Sequence, residues 1–180
     1  MRIAVGSDHA GFALKSLLAD HLTAAGHEVI DHGTSTADVS VDYPLYGHAV
    51  AESVASGQAE RGLCVCGTGI GIGIAANKVR GIRAAVVHDS TTALLARSHN
   101  DANVLCLGER TTGSAEAVDA VDTFFSTVFA EGRHQRRIDQ IAAYDAGIGV
   151  PDPTTVEMAT AIDNMAPPAS PETERQQPTP

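Results

Sequence analysis

A glycine-rich segment that begins with two cysteines, CVCGTGIGIGIAANK at residues 64–78, has the composition of a reactive site. Glycine at every second position allows positive φ angles and lets backbone N–H groups approach a ligand closely. The small apolar residues that follow favour a helix, and a loop before a helix start binds anions through such N–H groups. The anion can be a phosphate or an oxyanion that develops during a reaction.

Nucleotide and metal sites fit this segment poorly. The P-loop pattern GxxxxGK[ST] is absent, and the GxGxxG pattern fails from Gly67 and from Gly69 because Ile72 and Ile74 occupy the third glycine position. A single Cys-x-Cys pair without a second pair at ligand spacing is weak evidence for a metal site. The spacing therefore favours neither a dinucleotide nor a metal here.

Cys66 is the cysteine whose predicted position suits chemistry. It ends a predicted strand, and the N–H groups and helix start that follow favour a thiolate, which can act as nucleophile or base. A buried structural cysteine is the alternative for this residue. Cys64 lies in mid-strand and Cys106 in a later strand, so both are predicted to be small core residues. A thiol redox protein is a further hypothesis, and it requires Cys64 and Cys66 to be accessible.

Other polar residues with chemical potential lie at the ends of predicted elements. Asp8 and His9 follow the first strand, His99 and Asn100 close the helix after the fourth strand, and Arg110 follows the fifth strand. A single histidine is more often a cap or a surface residue than a catalyst. These residues gain weight only if the fold brings them together with the glycine-rich segment.

A basic cluster occurs in the segment GRHQRRI, where Arg133, His134, Arg136 and Arg137 fall within five positions. Such a cluster is often a solvated surface. In a chain with twelve Lys and Arg and a net charge of −10, however, concentrated arginine indicates a specific anionic ligand. Guanidinium groups bind phosphate through paired N–H donors, so a sugar phosphate is a suitable candidate.

The composition excludes several classes of protein. A net charge of −10 and a pI near 5.1 argue against a general binder of nucleic acids or anionic membranes, which needs a basic surface. No apolar run approaches the ~20 residues needed to span a bilayer. We find no signal peptide pattern at the start, and three cysteines are an odd number, so we expect a cytoplasmic protein with free thiols.

Strand and helix patterns alternate along the first 150 residues. The predicted strands are Arg2–Ser7, Glu28–Asp31, Gly62–Cys66, Arg83–His88 and Asn103–Leu107. The predicted helices are Phe12–Ala25, Pro44–Ser56, Ile70–Lys78, Ser90–Ser98, Gly113–Ala130 and Arg133–Ala146. Short apolar strands separated by helices predict an α/β, doubly wound, Rossmann-like domain with a five-stranded parallel sheet and a helical C-terminal extension. Ligands bind at the carboxyl ends of such strands.

Residues 151–180 differ from the rest of the chain. Seven of the eight prolines lie there, with Thr, Glu and Gln and without aromatic residues. Such a composition buries too little apolar surface to offset the entropy of ordering. We therefore predict a domain over residues 1–150 and a Pro-rich, disordered tail over 151–180, with a short helical patch possible near Thr155–Met165.

Taken together, several segments resemble the ribose-5-phosphate isomerase type B family, which also includes galactose-6-phosphate isomerase subunits. The segments occur in the same order as in that family, and the resemblance covers residues 1–147. They are GSDHAGF, DYP at 42–44, CGTGIG, AANK-x-x-GIRA, SHNDANVL and GRHQRRI. The resemblance implies an aldose–ketose isomerase for phosphorylated sugars that needs no metal or cofactor. It further implies a homodimer or tetramer with sites shared between subunits.

The resemblance also implies catalytic roles. Cys66 would be the base that moves a proton between C1 and C2 through a cis-enediolate, and Thr68 would help to shift the hydroxyl proton. His99, with Asp8 nearby, would open the sugar ring. The oxyanion hole would consist of backbone N–H groups of Gly67, Gly69, Ile70 and Gly71. Some family members have serine at the cysteine position and a glutamate further along the loop; here that region, near Ile74 and Ala75, is apolar, as in the cysteine subtype.

Substrate-binding roles follow from the same resemblance. Asp8, Tyr43 and Asn100 would contact the sugar. The phosphate would be bound by His9, Arg110, Arg133, His134 and Arg137, some of them from the partner subunit. Ribose 5-phosphate is the expected substrate, and tetrulose 4-phosphates, allose 6-phosphate and galactose 6-phosphate are alternatives. An alternative function is a non-catalytic module that binds a sugar phosphate or a nucleotide. Such a module would have no need of a thiol together with His99.

Overall fold

The computed structural model describes residues 1–149. The strands are β1 (Arg2–Ser7), β2 (Glu28–Asp31), β3 (Arg61–Cys66), β4 (Ala84–Val86) and β5 (Val104–Gly108). The α-helices are α1 (Phe12–Ala24), α2 (Tyr43–Ala55), α3 (Ile70–Ala76), α4 (Ser90–Asn100), α5 (Ser114–Ser126) and α6 (Gln135–Asp145). Among these residues no helix is both long and apolar enough to cross a bilayer. The predicted tail, 151–180, lies outside the described residues.

The sheet confirms the predicted fold class. All strand pairs are parallel, and the strand order is β2-β1-β3-β5-β4. The chain passes from β1 to β2 on one side and then returns to place β3 on the other side of β1. Strand order therefore reverses between β1 and β3, and a crevice forms at the carboxyl ends of strands at such a point.

Helices cover both faces of the sheet, and the pleat of β3 determines which face each residue joins. Leu63 and Val65 pack into a buried cluster with residues of α1, α4 and α5. Cys64 and Cys66 point the other way, into a cluster with residues of α2 and α3. Side chains alternate along a strand, so Cys66 must end β3 on the same face as α3.

Some element boundaries differ from the sequence-based prediction. β4 has three residues instead of six, and α4 continues through Asn100. Helix α5 ends at Ser126 instead of Ala130, because Thr127 is extended (ψ 136°) and the Ala130 N–H donates to the Ser98 carbonyl at 2.9 Å. This contact ties the segment after α5 to the last turn of α4. A 3₁₀ turn, Gly132–His134, then precedes α6.

Close packing between α2 and α3 depends on Gly47. A Cβ atom there would lie 2.7 Å from the Ile72 carbonyl oxygen and 2.8 Å from Ile72 Cγ1. The absence of a side chain at Gly47 therefore sets the distance between the two helices. Helix α3 carries the glycine-rich segment, so this contact also fixes the height of that segment above the sheet.

We predict that Gly47→Ala destabilises the protein although alanine favours helices. Helix propensity alone would add about 1 kcal/mol of stability, whereas overpacking costs about 1–3 kcal/mol. Urea unfolding should therefore show a net loss. The pair Glu52→Gly and Glu52→Ala, at an exposed position of the same helix, measures the propensity difference alone. A gain in stability for Gly47→Ala would show that α2 and α3 are not in close contact here.

Candidate active site

A cavity of about 610 Å³ lies at the carboxyl edge of the sheet, where strand order reverses. Its walls come from the segments after β1, β3 and β5 and from the starts of α2 and α3. The lining residues are Asp8, His9, Ala10, Tyr43, Cys66, Gly67, Thr68, Ile70, Gly71, Ile74 and Arg110. We call this cavity and its lining residues the carboxyl-edge site. Its volume suits a small ligand.

The loop after β3 depends on the conformation of Gly69. This residue precedes α3 with φ 76°, a left-handed conformation that side chains rarely adopt. A Cβ atom on Gly69 would also lie 2.9 Å from the carbonyl carbon of Leu107 on β5. Both constraints exclude a side chain, so the turn folds its N–H groups back over the end of β3.

Cys66 lies under this turn. Its side chain is only 4% exposed, yet it borders the cavity. The Gly69 N–H donates to Cys66 Sγ at 3.2 Å. A backbone donor aimed at sulfur stabilises negative charge there, as a base requires. One of the four predicted oxyanion donors is thus paired with the thiol in this structure.

Tyr43 and Thr68 frame the start of α3. A Cβ atom on Gly71 would lie 2.6 Å from Tyr43 Cζ and 3.0 Å from its hydroxyl oxygen, so the phenol ring rests directly on this glycine. The Ile70 N–H lies 3.4 Å from Thr68 Oγ1, which accepts from it weakly. The phenol and the threonine hydroxyl therefore flank the loop that was predicted to bind an oxyanion.

Asp8 and His9 border the cavity from the end of β1. Asp8 is 5% exposed, and its Oδ1 accepts the N–H groups of Ala10 and Gly11, both at 3.0 Å. His9 Nδ1 lies 3.1 Å from the Val41 N–H and 3.3 Å from the Val41 carbonyl oxygen, so the ring is held against the backbone of Val41. The sequence did not predict this contact between Val41 and His9, because the two residues are 32 positions apart and no local pattern links them.

Arg110 contributes the positive charge of the carboxyl-edge site. A Cβ atom on Gly67 would lie 3.3 Å from Arg110 Cζ, so the guanidinium group packs against the loop next to Cys66. The Arg110 backbone N–H also donates to the Gly67 carbonyl at 3.0 Å. The two loops after β3 and β5 are thus held together, with a cation at the mouth of the cavity.

The remaining predicted site residues lie at the opposite edge of the sheet. Helix α4 starts beyond the carboxyl end of β4 and runs back, so its last turn lies near the amino ends of the strands. Arg83, just before β4, donates from Nε to the Asn100 carbonyl at 3.2 Å. The rings of His99 and His134 stack with centroids 4.2 Å apart. We call the following residues the amino-edge cluster: His99, Asn100, Arg133, His134 and Arg137.

Positive charge dominates the amino-edge cluster. Partial desolvation, followed by the charges of His99, Arg133 and Arg137, lowers the pKa of His134 below the usual value for histidine. An anion bound among these residues would offset that repulsion, since an opposite charge favours the protonated imidazole. The amino-edge cluster is therefore suited to bind a phosphate. It shares no residue with the carboxyl-edge site.

The other two cysteines lie in the core, as predicted. Cys64 and Cys106 are fully buried and face each other across β3 and β5. The hydrogen bond with Cys106 and burial raise the pKa of the Cys64 thiol. All three cysteines are free, and among residues 1–149 no group of three His, Cys, Asp or Glu side chains could hold a metal ion. A redox protein that needs an accessible Cys64 does not fit this burial.

Comparison with known proteins identifies the family of this chain. A family model described as Ribose/Galactose Isomerase matches residues 3–141. Ribose-5-phosphate isomerase B of Escherichia coli is 46% identical over 80% of this chain and 96% of its own length. The Mycobacterium tuberculosis enzyme of the same name is 42% identical over 81% of this chain and 90% of its own length.

Solved structures give the same result. Ribose-5-phosphate isomerase B of Clostridium thermocellum has a TM-score of 0.80 and 51% identity, and the match covers 83% of this chain and 100% of that one. A Mycoplasma genitalium structure with bound ribulose 5-phosphate has a TM-score of 0.77 and 42% identity, with 81% and 96% covered. The chain therefore belongs to the ribose/galactose isomerase family.

Proposed function

We propose that this protein interconverts ribose 5-phosphate and ribulose 5-phosphate. The observation that carries the proposal is the Gly69 N–H donating to Cys66 Sγ at 3.2 Å, at the wall of a cavity large enough for a small sugar phosphate. Membership of the family and the ribulose 5-phosphate in one relative's structure support the substrate. The reaction needs a reduced thiol, which favours a reducing compartment such as the cytoplasm.

Cys66 is the base of the proposed reaction. Its thiolate takes the proton from C2 of the open-chain aldose, and the electron pair moves into a cis-enediolate. The thiol then returns the proton to C1 and produces the ketose. Backbone N–H groups of the loop stabilise the charged oxygen, and Thr68 moves the hydroxyl proton from O2 to O1. Loss of one such preorganised donor typically raises the activation barrier by about 3–4 kcal/mol.

Ring opening and phosphate binding need residues from both edges of the sheet. Ribose 5-phosphate is mostly a closed furanose, so an acid–base group has to open it before Cys66 can act. We assign this step to His99, assisted by Asp8, and sugar contacts to Tyr43 and Asn100. The phosphate is assigned to His9 and Arg110 of the carboxyl-edge site and to Arg133, His134 and Arg137 of the amino-edge cluster.

A homodimer reconciles this assignment with the fold. Within one chain the carboxyl-edge site and the amino-edge cluster lie at opposite edges of the sheet, so a complete site requires the amino-edge cluster of a second copy. Exposed apolar side chains accompany both regions and would be covered on association. They are Leu45, Ile70 and Ile74 near the cavity and Ile141, Tyr144 and Ile148 in and after α6. Apolar surface of this kind marks protein contacts.

Cys66→Ala is expected to lower kcat for ribose 5-phosphate by at least about 10³-fold, because the base on carbon is lost. Cys64→Ala is the matched control: it removes a buried sulfur from the same strand, so it should lower thermal stability and leave kcat within about twofold. A coupled isomerase assay with a chelator present measures both.

The same assay tests the substrate. Wild-type protein is compared on aldose and ketose phosphates of four to six carbons. We expect the highest kcat/KM for ribose 5-phosphate; a higher value for another sugar would change the assigned substrate. Substantial activity in Cys66→Ala would remove the proposed base.

Arg137→Ala is expected to raise KM for ribose 5-phosphate about 10- to 100-fold, because it removes a charged hydrogen-bonding partner of the phosphate. kcat should change little, and turnover of unphosphorylated ribose should be unaffected. Arg2→Ala removes one positive charge elsewhere on the surface and serves as control. If the phosphorylated and unphosphorylated sugars lose activity equally, Arg137 does not bind the phosphate.

Mixing two inactive variants tests whether sites are shared. In a dimer of Cys66→Ala with His99→Asn, one of the two shared sites contains an intact Cys66 and an intact His99. Random exchange of subunits makes half of the dimers mixed, so we expect recovery of about a quarter of wild-type activity. Sites contained within one chain would show no recovery, because each would carry one of the two substitutions.

A further inference from the structure

The end of helix α4 is held in a strained conformation directly after His99 and Asn100. Asp101 has φ 43° and ψ 41°, and it is one of two non-glycine residues with positive φ among residues 1–149. A side chain in the left-handed region is unfavourable and persists only when the surroundings enforce it. The contacts of Asp101 show what enforces it.

Two guanidinium groups hold the Asp101 carboxylate. Arg97 Nη1 donates to Oδ1 at 2.8 Å, and Arg83 Nη2 donates to Oδ2 at 2.7 Å. The Arg97 side chain is 5% exposed and the Asp101 side chain 32%. Arg61 also interacts electrostatically with Arg97 and Asp101. A single carboxylate therefore separates cations that would otherwise repel one another.

The same arginines bind carbonyl groups at the end of α4 and in the two residues that follow it. Arg83 Nε donates to the carbonyl oxygens of Asn100 at 3.2 Å and Asp101 at 2.9 Å. Arg97 Nη1 donates to the Ala102 carbonyl at 2.6 Å. Helix ends need such donors for their last carbonyls. Asp101 thus fixes the backbone immediately after His99 through the arginines that it holds.

We infer that Asp101 is a positioning residue for ring opening: held between Arg97 and Arg83, it fixes the last turn of α4 and so aims His99. This inference depends on the role of His99 given under the proposed function. The carboxylate itself touches no cavity residue of the carboxyl-edge site. Its effect reaches the substrate through the last turn of α4, which carries His99 and the sugar-contact residue Asn100; the His99 ring also stacks on His134 at 4.2 Å.

Two reactions of the enzyme separate positioning of His99 from general damage. Turnover of ribose 5-phosphate requires ring opening. Exchange of a C1 hydrogen of ribulose 5-phosphate with deuterated water requires Cys66 and the enediolate but no ring step, because this ketose has no free 5-hydroxyl with which to close a furanose. ¹H NMR at saturating substrate measures the exchange.

Asp101→Asn is expected to lower kcat for ribose 5-phosphate about 10- to 100-fold, the effect of a misplaced catalytic group, while C1 exchange stays within about threefold of wild type. Asparagine tolerates the left-handed conformation but lacks the charge that holds both arginines. Asp122→Asn breaks the surface ion pair with His21 and is the matched control, with both rates unchanged. If both rates fall together in Asp101→Asn, or neither falls, the inference is wrong.

Arg83→Lys covers the case in which Asp101→Asn does not fold. Lysine keeps the charge next to Asp101, but its single nitrogen cannot take the positions of both Nε and Nη2 of Arg83, so the same selective loss of ribose 5-phosphate turnover is expected. His99→Asn separates the proposed ring-opening role of His99 from the proposed positioning role of Asp101. If His99→Asn turns over ribose 5-phosphate normally, the proposed ring-opening role fails, and this inference with it. If His99→Asn is inactive but Asp101→Asn and Arg83→Lys are unimpaired, only the positioning role fails.

Discussion

The contact between the Gly69 N–H and the Cys66 sulfur is the interaction on which the rest of the site depends. It forms only because Gly69 adopts a left-handed conformation and lies against the Leu107 carbonyl without a side chain. That turn aims the Gly69 N–H at the sulfur and begins α3 at the next residue. A thiol at the end of a strand would otherwise be an ordinary core residue, like Cys64 two positions earlier. The same few atoms therefore determine both the surroundings of the Cys66 sulfur and the shape of the cavity.

A parallel sheet with helical connections has a geometric consequence for this family's chemistry. Strand ends collect at one edge, and the ends of the connecting helices collect at the other. Cys66 belongs to the first group and His99 to the second, so a single chain cannot bring them to one substrate. In the proposed dimer, association of two copies combines Cys66 at a strand end with His99 at a helix end. The arginine clamp around Asp101 then has a role, because the end of α4 would present His99 to the partner subunit.

Sequence patterns predicted the fold class and, together with the family resemblance, most residues that line the carboxyl-edge site. The five strands, their parallel arrangement and Cys66 at the end of β3 followed from apolar runs and glycine positions. Strand order did not follow, because it depends on packing between distant elements. The polar segments at 31–34 and 87–90 also follow strands of the sheet, yet β2 and β4 are edge strands and these segments do not line the cavity. Nothing local distinguishes them from the segment that contains Asp8.

Helix ends were predicted less well for a related reason. Residues 127–130 continue the apolar character of α5, but the bond from the Ala130 N–H to the Ser98 carbonyl holds them outside the helix. The clamp on Asp101 was not predicted either, since its partners Arg83 and Arg97 come from different elements. Such contacts depend on three-dimensional neighbours that a linear pattern does not record.

The phenol ring of Tyr43 lying on Gly71 links two positions that are far apart in the chain. A ring at position 43 and any side chain at position 71 would occupy the same volume. Substitutions at these two positions are therefore coupled. A relative that acquires a larger residue at 71 must first shrink or move the aromatic group at 43, and with it one wall of the cavity. Changes in which sugars fit are therefore most accessible through coupled replacement of this pair.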